Sequence, residues 1–353
     1  MTERIPIILD VDTGIDDSLA LLYAAASPEA EIVAVTCVAG NVSARQVAAN
    51  TLSVLELAGR GDIEVALGRE VPLVRPFKDA PETHGPQGLG YATLPVAERQ
   101  ISERHAVDVL IDEARARPGE ITLVTVGPLT NLAVALLREP ELPRLFRRYV
   151  LMGGAFRSPG NTAPTTEWNI QVDPDAAKVV FGGWAAAREA DPSIPRPVAL
   201  GLDVTEHAKI TPEHVVALAR LAGSRPDESL ALARGEDPMH ATRSVASNPI
   251  VRYVADALRF YMEFHSRYDG FYGAFIHDPL ALAAALDPTL IRTEALAVDV
   301  ELGGTLTTGE TVTDWRRVWG REPNLDIAVK ADADAFLERF VERVGRLAAG
   351  RSA

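Results

Sequence analysis

Four aspartates fall within eight residues near the start of the chain: Asp10, Asp12, Asp16 and Asp17, in the run Asp10-Val11-Asp12-Thr13-Gly14-Ile15-Asp16-Asp17. Like charges packed this densely repel one another, and burial makes each of them costlier. A hard cation relieves both problems, and all-oxygen donors suit Ca²⁺ or Mg²⁺ rather than zinc. The plainer alternative is an acidic turn capping a helix, since Asp is favoured at helix starts. That explains one or two acids better than four. Further along, His277-Asp278-Pro279 sets another carboxylate beside a titratable ring, and Glu167-Trp168-Asn169 joins Asn41 and Asn161 as polar groups in turns. Lys and Arg are scarce at these points. Phosphate sites commonly offer Arg, Lys or a glycine-rich nest, so this set suits hydroxyls and a cation instead.

These residues need a scaffold that brings them together. The apolar run Ile5 to Leu9 leads into the acidic turn, and Ser18 to Ala24 continues as a helix. The acids therefore sit at the carboxyl end of a first strand, the edge where open α/β sheets bind ligands. Strand-like runs follow at 32–38, 63–67, 121–126, 149–152, 197–202, 297–301 and 325–329, with helical patterns between most of them. Ser102 is expected to open one helix, Asp173-Pro174 another, and 251–267 to form a long amphipathic one. The proline- and glycine-rich stretch 69–100, with His84 inside it, reads as a long functional loop. The alternation predicts one α/β domain over 1–353, with an open, mostly parallel twisted sheet flanked by helices and a Rossmann-like core. Residues 223–250 break the pattern and are expected to form an irregular segment or insertion near the site.

Composition narrows the function. The hydrophobic fraction of 47% supports a core, while no apolar run is long enough to span a membrane. With no signal-like segment and a single cysteine, Cys37, a cytoplasmic protein without disulfides is expected. A net charge of −14 argues against nucleic acid or anionic membranes as partners.

Taken in order, the motifs resemble the inosine–uridine-preferring nucleoside hydrolases. The family's Asp-x-Asp-x-Gly-x-Asp-Asp is matched by Asp10, Asp12, Gly14, Asp16 and Asp17. Its Gly-Asn is Gly40-Asn41, its Gly-Pro-Leu-Thr-Asn runs from Gly127 to Asn131, and its Met-Gly-Gly is Met152 to Gly154. Glu167-Trp168-Asn169 with Asp173-Pro174, and His277 to Pro279, complete the series. Thr13 departs from the proline common in the first motif, and Thr307-Thr308-Gly309 from an expected Thr-Arg-Gly.

The resemblance implies N-glycosidic hydrolysis of ribonucleosides with bound Ca²⁺, in a homodimer or homotetramer with the nucleoside hydrolase fold. It implies that Asp12, Asp17, Asp278 and the main-chain carbonyl of Val126 hold the metal, and that Asp12 is the general base. Asp16 and Asn169 would take the ribose 2′ and 3′ hydroxyls, and Asn161 and Glu167 the 5′ hydroxyl. Asn41 would orient water or ribose, and Met152 would lie against the sugar. His277 is the candidate for protonating the leaving base, its pKa range suiting proton transfer. His84 and Trp168 are candidate contacts to the base. A haloacid-dehalogenase-type phosphohydrolase also begins strand-Asp-x-Asp, but its Gly-Thr order is reversed here and His277-Asp278 goes unexplained. A relative that binds ribosides with Ca²⁺ without cleaving them is the other alternative.

Overall fold

The computed structural model describes residues 4–225 and 243–351. Its strands are β1 (Ile5–Val11), β2 (Ala30–Cys37), β3 (Glu64–Leu67), β4 (Thr122–Thr125), β5 (Arg148–Met152), β6 (Val198–Leu200), β7 (Lys209–Ile210), β8 (Ala274–Phe275), β9 (Ile291–Leu296), β10 (Val298–Val300), β11 (Thr311–Thr313) and β12 (Leu325–Ala331). Eight of them form one sheet in the order β3-β2-β1-β4-β5-β6-β12-β9. Every pairing in it is parallel except β12 with β9. The chain winds outward from β1 through β2 to β3, then returns to place β4 on the other side of β1. The direction of winding reverses between β1 and β4, and such a reversal opens a crevice at the carboxyl ends of the strands.

Side chains of a strand alternate between faces. Ile7 and Leu9 accordingly pack into one apolar layer and Ile8 into the other. The first layer is covered by the helices Ile15–Ala26, Pro249–Tyr268, His277–Leu286 and Ala333–Ala349. The second is covered by Ala106–Ala116, Thr130–Arg138 and Pro174–Ala190. This double covering is why the central strands read as continuous apolar runs. Among the described residues no helix is long and apolar enough to cross a membrane.

Several boundaries differ from expectation, each for a local reason. The helix expected at Ser102 starts at Ala106, because the Ser102 hydroxyl is engaged by Glu64 and His105 caps Val107 N–H instead. The strand expected over 197–202 stops at Leu200, where Leu202 N–H turns away to the Gly154 carbonyl and a short helix, Leu202–Thr205, begins. The long helix starts at Pro249, since Asn248 Oδ1 accepts from Ile250 and Val251. Of the irregular segment expected at 223–250, residues 226–242 lie outside the described residues; 243–248 lead into Asn248 without a helix or strand.

Candidate active site

The site is built at the strand ends on either side of the reversal. Asp10 and Val11 end β1, and the turn Asp12 to Gly14 passes directly into Ile15–Ala26. Asp17 ties this turn together: its Oδ1 accepts from Asp12 N (3.0 Å) and its Oδ2 from Gly14 N (2.9 Å). Asn41, just beyond β2, donates its backbone N–H to Asp12 Oδ2 (2.8 Å) and its side-chain amide to Asp17 Oδ2 (3.2 Å). Glycines allow this closeness. A Cβ on Gly40 would lie 2.1 Å from Asp12 Oδ2, and one on Gly127 would lie 2.9 Å from Asp12 Oδ1.

One carboxylate oxygen each from Asp16, Asp17 and Asp278 lies within 4.8 Å of the other two. This grouping differs from the expected metal set, which had Asp12 and Val126 with Asp17 and Asp278. Asp16 joins because it shares the first helical turn with Asp17, whereas the Asp12 carboxylate turns toward Asn41. The Val126 carbonyl accepts from Asn169 Nδ2 at 2.8 Å, which leaves it one lone pair. Burial, then the Asp17 charge, pushes Asp16 up to about 8 and holds Asp12 well above the usual carboxylate range. Asp17 is raised by burial, and Asp278 by burial and then by Asp16, Asp17, Asp12 and Glu167. Fully ionised, the cluster would hold more negative charge than its surroundings balance. Asp12 Oδ1 is buried with no hydrogen-bond partner. An orphaned buried oxygen beside three converging carboxylates fits a hard divalent cation.

Asp10 plays a different part. Its Oδ1 accepts from Thr36 Oγ1 (2.6 Å) and Asn131 Nδ2 (2.8 Å), while Asn131 Oδ1 accepts from Arg69 N (2.8 Å). It thus joins the ends of β1 and β2 to the turn after β4, and burial pushes it up to about 7.

A cavity of about 500 Å³ opens above the cluster. Asp16, Asn41, His84, Val126, Met152, Asn161, Glu167, Trp168, Asn169, His277 and Asp278 all line it, so the expected ligand contacts converge; Asp12 and Asp17 adjoin it from below. Asn169 Nδ2 reaches the Val126 and Met152 carbonyls. Glu167 caps the helix Trp168–Val172, with Oε1 held by Asn169 N and Oε2 by Gly154 N and Ile170 N. Asn161 stands exposed at the rim and accepts from Trp168 N (3.0 Å).

The lining is also histidine-rich. His84 Nδ1 accepts from Ile15 N at 3.1 Å, which leaves the proton on Nε2. His277 Nδ1 shares a 2.8 Å hydrogen bond with Thr205 Oγ1. Burial, with neighbouring histidines adding to it, holds both rings at about 3, so both are neutral at pH 7. Several lining groups escaped the motif reading: Tyr261, His265, Asp269 and Glu206. His265 Nδ1 donates to Asp269 Oδ2 at 2.7 Å, and its Nε2 is buried without a partner. No motif marks these residues; the phase of the amphipathic pattern in the long helix points to Tyr261 and His265, while Asp269 and Glu206 follow helix ends. Tyr268, also in the lining, is 60% exposed.

Comparison with known proteins agrees with this geometry. Residues 7–338 match the family model described as inosine-uridine preferring nucleoside hydrolase. The inosine-uridine preferring nucleoside hydrolase of Leishmania major is 35% identical over 344 residues, covering 97% of this chain and 98% of that protein. The pyrimidine-specific ribonucleoside hydrolase RihA of Salmonella gallinarum is 37% identical over 96% of this chain and 98% of its own. Among solved structures, a purine-preferring ribonucleoside hydrolase from Gardnerella vaginalis superposes with a TM-score of 0.83 at 31% identity, covering 98% of this chain and 99% of that one.

Proposed function

The chain belongs to the inosine–uridine preferring nucleoside hydrolase family, and from that premise we propose that it cleaves the N-glycosidic bond of ribonucleosides to ribose and free base. The observation that carries this reading is the lining of one cavity, which combines buried carboxylates with neutral histidines set among aromatic rings.

Asp12, Asp17, Asp278 and the remaining lone pair of the Val126 carbonyl would hold Ca²⁺ in this reading, with Asp16 beside them. When bound, the ion supplies positive charge that lowers the pKa of water to where it becomes a nucleophile near neutrality. Asp12 takes the proton through Oδ1, the oxygen that no protein donor occupies. Asp16 and Asn169 accept and orient the ribose hydroxyls. Asn41 holds Asp12 in place and orients the water or ribose. Met152 lies under the sugar, and Asn161 and Glu167 take its 5′ end. Fixed carboxylates around the ribose favour a sugar that turns cationic as the bond breaks.

His277 serves the departing base. The Thr205 hydroxyl lies within reach of both the Gly201 carbonyl (3.1 Å) and His277 Nδ1 (2.8 Å); because that carbonyl already accepts from Val204 N and Thr205 N, in this reading the hydroxyl donates to Nδ1. His277 Nε2–H then faces the cavity as a neutral donor. His84 and Trp168 contact the base beside it.

The substrate class is tested with paired substrates. A nucleoside should release ribose, whereas its 5′-monophosphate should be neither hydrolysed to ribose nor dephosphorylated, because the acidic cavity repels a dianion. Comparable kcat/KM for the two would overturn the reading. Phosphate release would support a phosphohydrolase instead, and tight binding without turnover a non-catalytic relative.

A further inference from the structure

A second cavity, of about 440 Å³, lies at the opposite end of the sheet. Arg147 and Arg148 stand at the start of β5, Arg196 lies just before β6, and Arg188 comes from the end of the helix Pro174–Ala190. The loop Pro192–Pro195 forms one wall, and Asp326 of β12 is the acidic residue in the lining. We propose that these four arginines form a binding site for a small molecule carrying two phosphate groups.

The charge count is the first support. Four guanidiniums face one lining carboxylate, within a chain whose net charge is −14. Internal pairing absorbs little of that excess. Arg196 Nε pairs with Asp326 Oδ1 at 2.7 Å, and Arg188 Nη1 donates to the Ile194 carbonyl. That carbonyl neutralises no charge. Glu322 also acts on Arg188 from outside the lining. Asp326 acts on Arg148 and Arg188 as well, so one carboxylate serves three arginines. Burial disfavours the charged forms of Arg148 and Arg188, and the neighbouring Arg196 repels Arg188 further. Such a cluster gains most from a multivalent oxyanion, and planar guanidiniums match phosphate oxygens two at a time. The volume lies in the range of small-ligand pockets. The residues come from three separate segments, with three of the arginines at or just before strands of the central sheet. Met152, at the other end of β5, lies in the nucleoside cavity, so the two sites are separated by the length of a strand. This inference does not depend on the proposed hydrolase activity.

The test is calorimetry on the full chain at fixed ionic strength, with fructose 1,6-bisphosphate, inorganic phosphate and fructose as probes. Saturable binding of the bisphosphate is expected, about tenfold or more tighter than phosphate, with no heat from fructose. The pair Arg148→Gln/Arg188→Gln should weaken it by about tenfold or more and leave nucleoside hydrolysis unchanged. Arg147→Gln, at an exposed position, guards against misfolding of the double variant and should weaken binding severalfold on its own. No saturable binding, equal affinity for phosphate and bisphosphate, or full binding by the variants would each overturn the proposal.

Discussion

Asp12 keeps one oxygen against the Asn41 amide and leaves the other buried and unpartnered. A buried carboxylate oxygen without a donor is costly, and a cation or a proton must meet it. Asp17→Asn and Asp278→Asn should therefore abolish calcium binding and turnover together, with calorimetry as the check; full calcium affinity in either variant would refute their assignment as ligands. His277 is proposed to act on the base rather than on the water. His277→Ala should cost about 10²–10³-fold in kcat on natural nucleosides, the range for losing one preorganised donor, with little loss on a nitrophenyl riboside whose leaving group needs no help. Equal losses on both substrates would mean that the ring only positions Asp278. Glu206 offers a pH test. Burial, then Asp269 and Asp203, pushes it up to about 6. A carboxyl raised in the folded state binds its proton more tightly there, so it costs nothing below pH 4 and destabilises increasingly as pH rises through 6. Glu206→Gln should match the parent at pH 4 and gain about 1 kcal/mol above pH 7, after allowance for its partial exposure. Denaturant melts at the two pH values decide it; a gain at pH 4 would contradict the assignment. The acidic cluster and the polar residues that line the cavity were legible because short motifs carry them. Glu206, Tyr261, His265 and Asp269 were not, because their place depends on how two helices are rotated against the cavity.

The helix Pro249–Tyr268 connects stability with the cavity. Asn248 caps its start and also donates to the Ala348 carbonyl at 2.7 Å, joining it to the C-terminal helix. Asn248→Ala should cost about 1–2 kcal/mol, the range for a lost cap. Because the same helix carries Tyr261 and His265 into the cavity, KM should rise in the variant while calcium affinity holds. Unchanged stability by denaturant titration would show that the cap is dispensable. The elements themselves were legible where an apolar run is buried on both faces, as in β1, β2, β4 and β5. Short or peripheral strands escaped. β7 and β8 contain two residues each and pair only with one another, and the edge strand β9 alternates exposed and part-buried residues too weakly to stand out. Ser102 misled because its hydroxyl serves Glu64 rather than a helix start.

Across the whole molecule, the reversal of winding at β1 and β4 gathers distant motifs to one end of the sheet, and the arginine-lined cavity lies at the other. The order of motifs along the chain conveyed the first arrangement. Nothing in the sequence conveyed the second, since Arg147, Arg188 and Arg196 share no spacing until the strands align them. The relatives include pyrimidine-specific and purine-preferring enzymes, which is consistent with one ribose end serving different base ends. The central claim is that the buried aspartates work by holding calcium for hydrolysis. Its most direct test is ribose release from inosine and uridine by chelator-treated protein as calcium is added back. Release should be absent after chelation and should return in step with calcium occupancy measured on the same samples. Full ribose release from metal-free protein would contradict the claim.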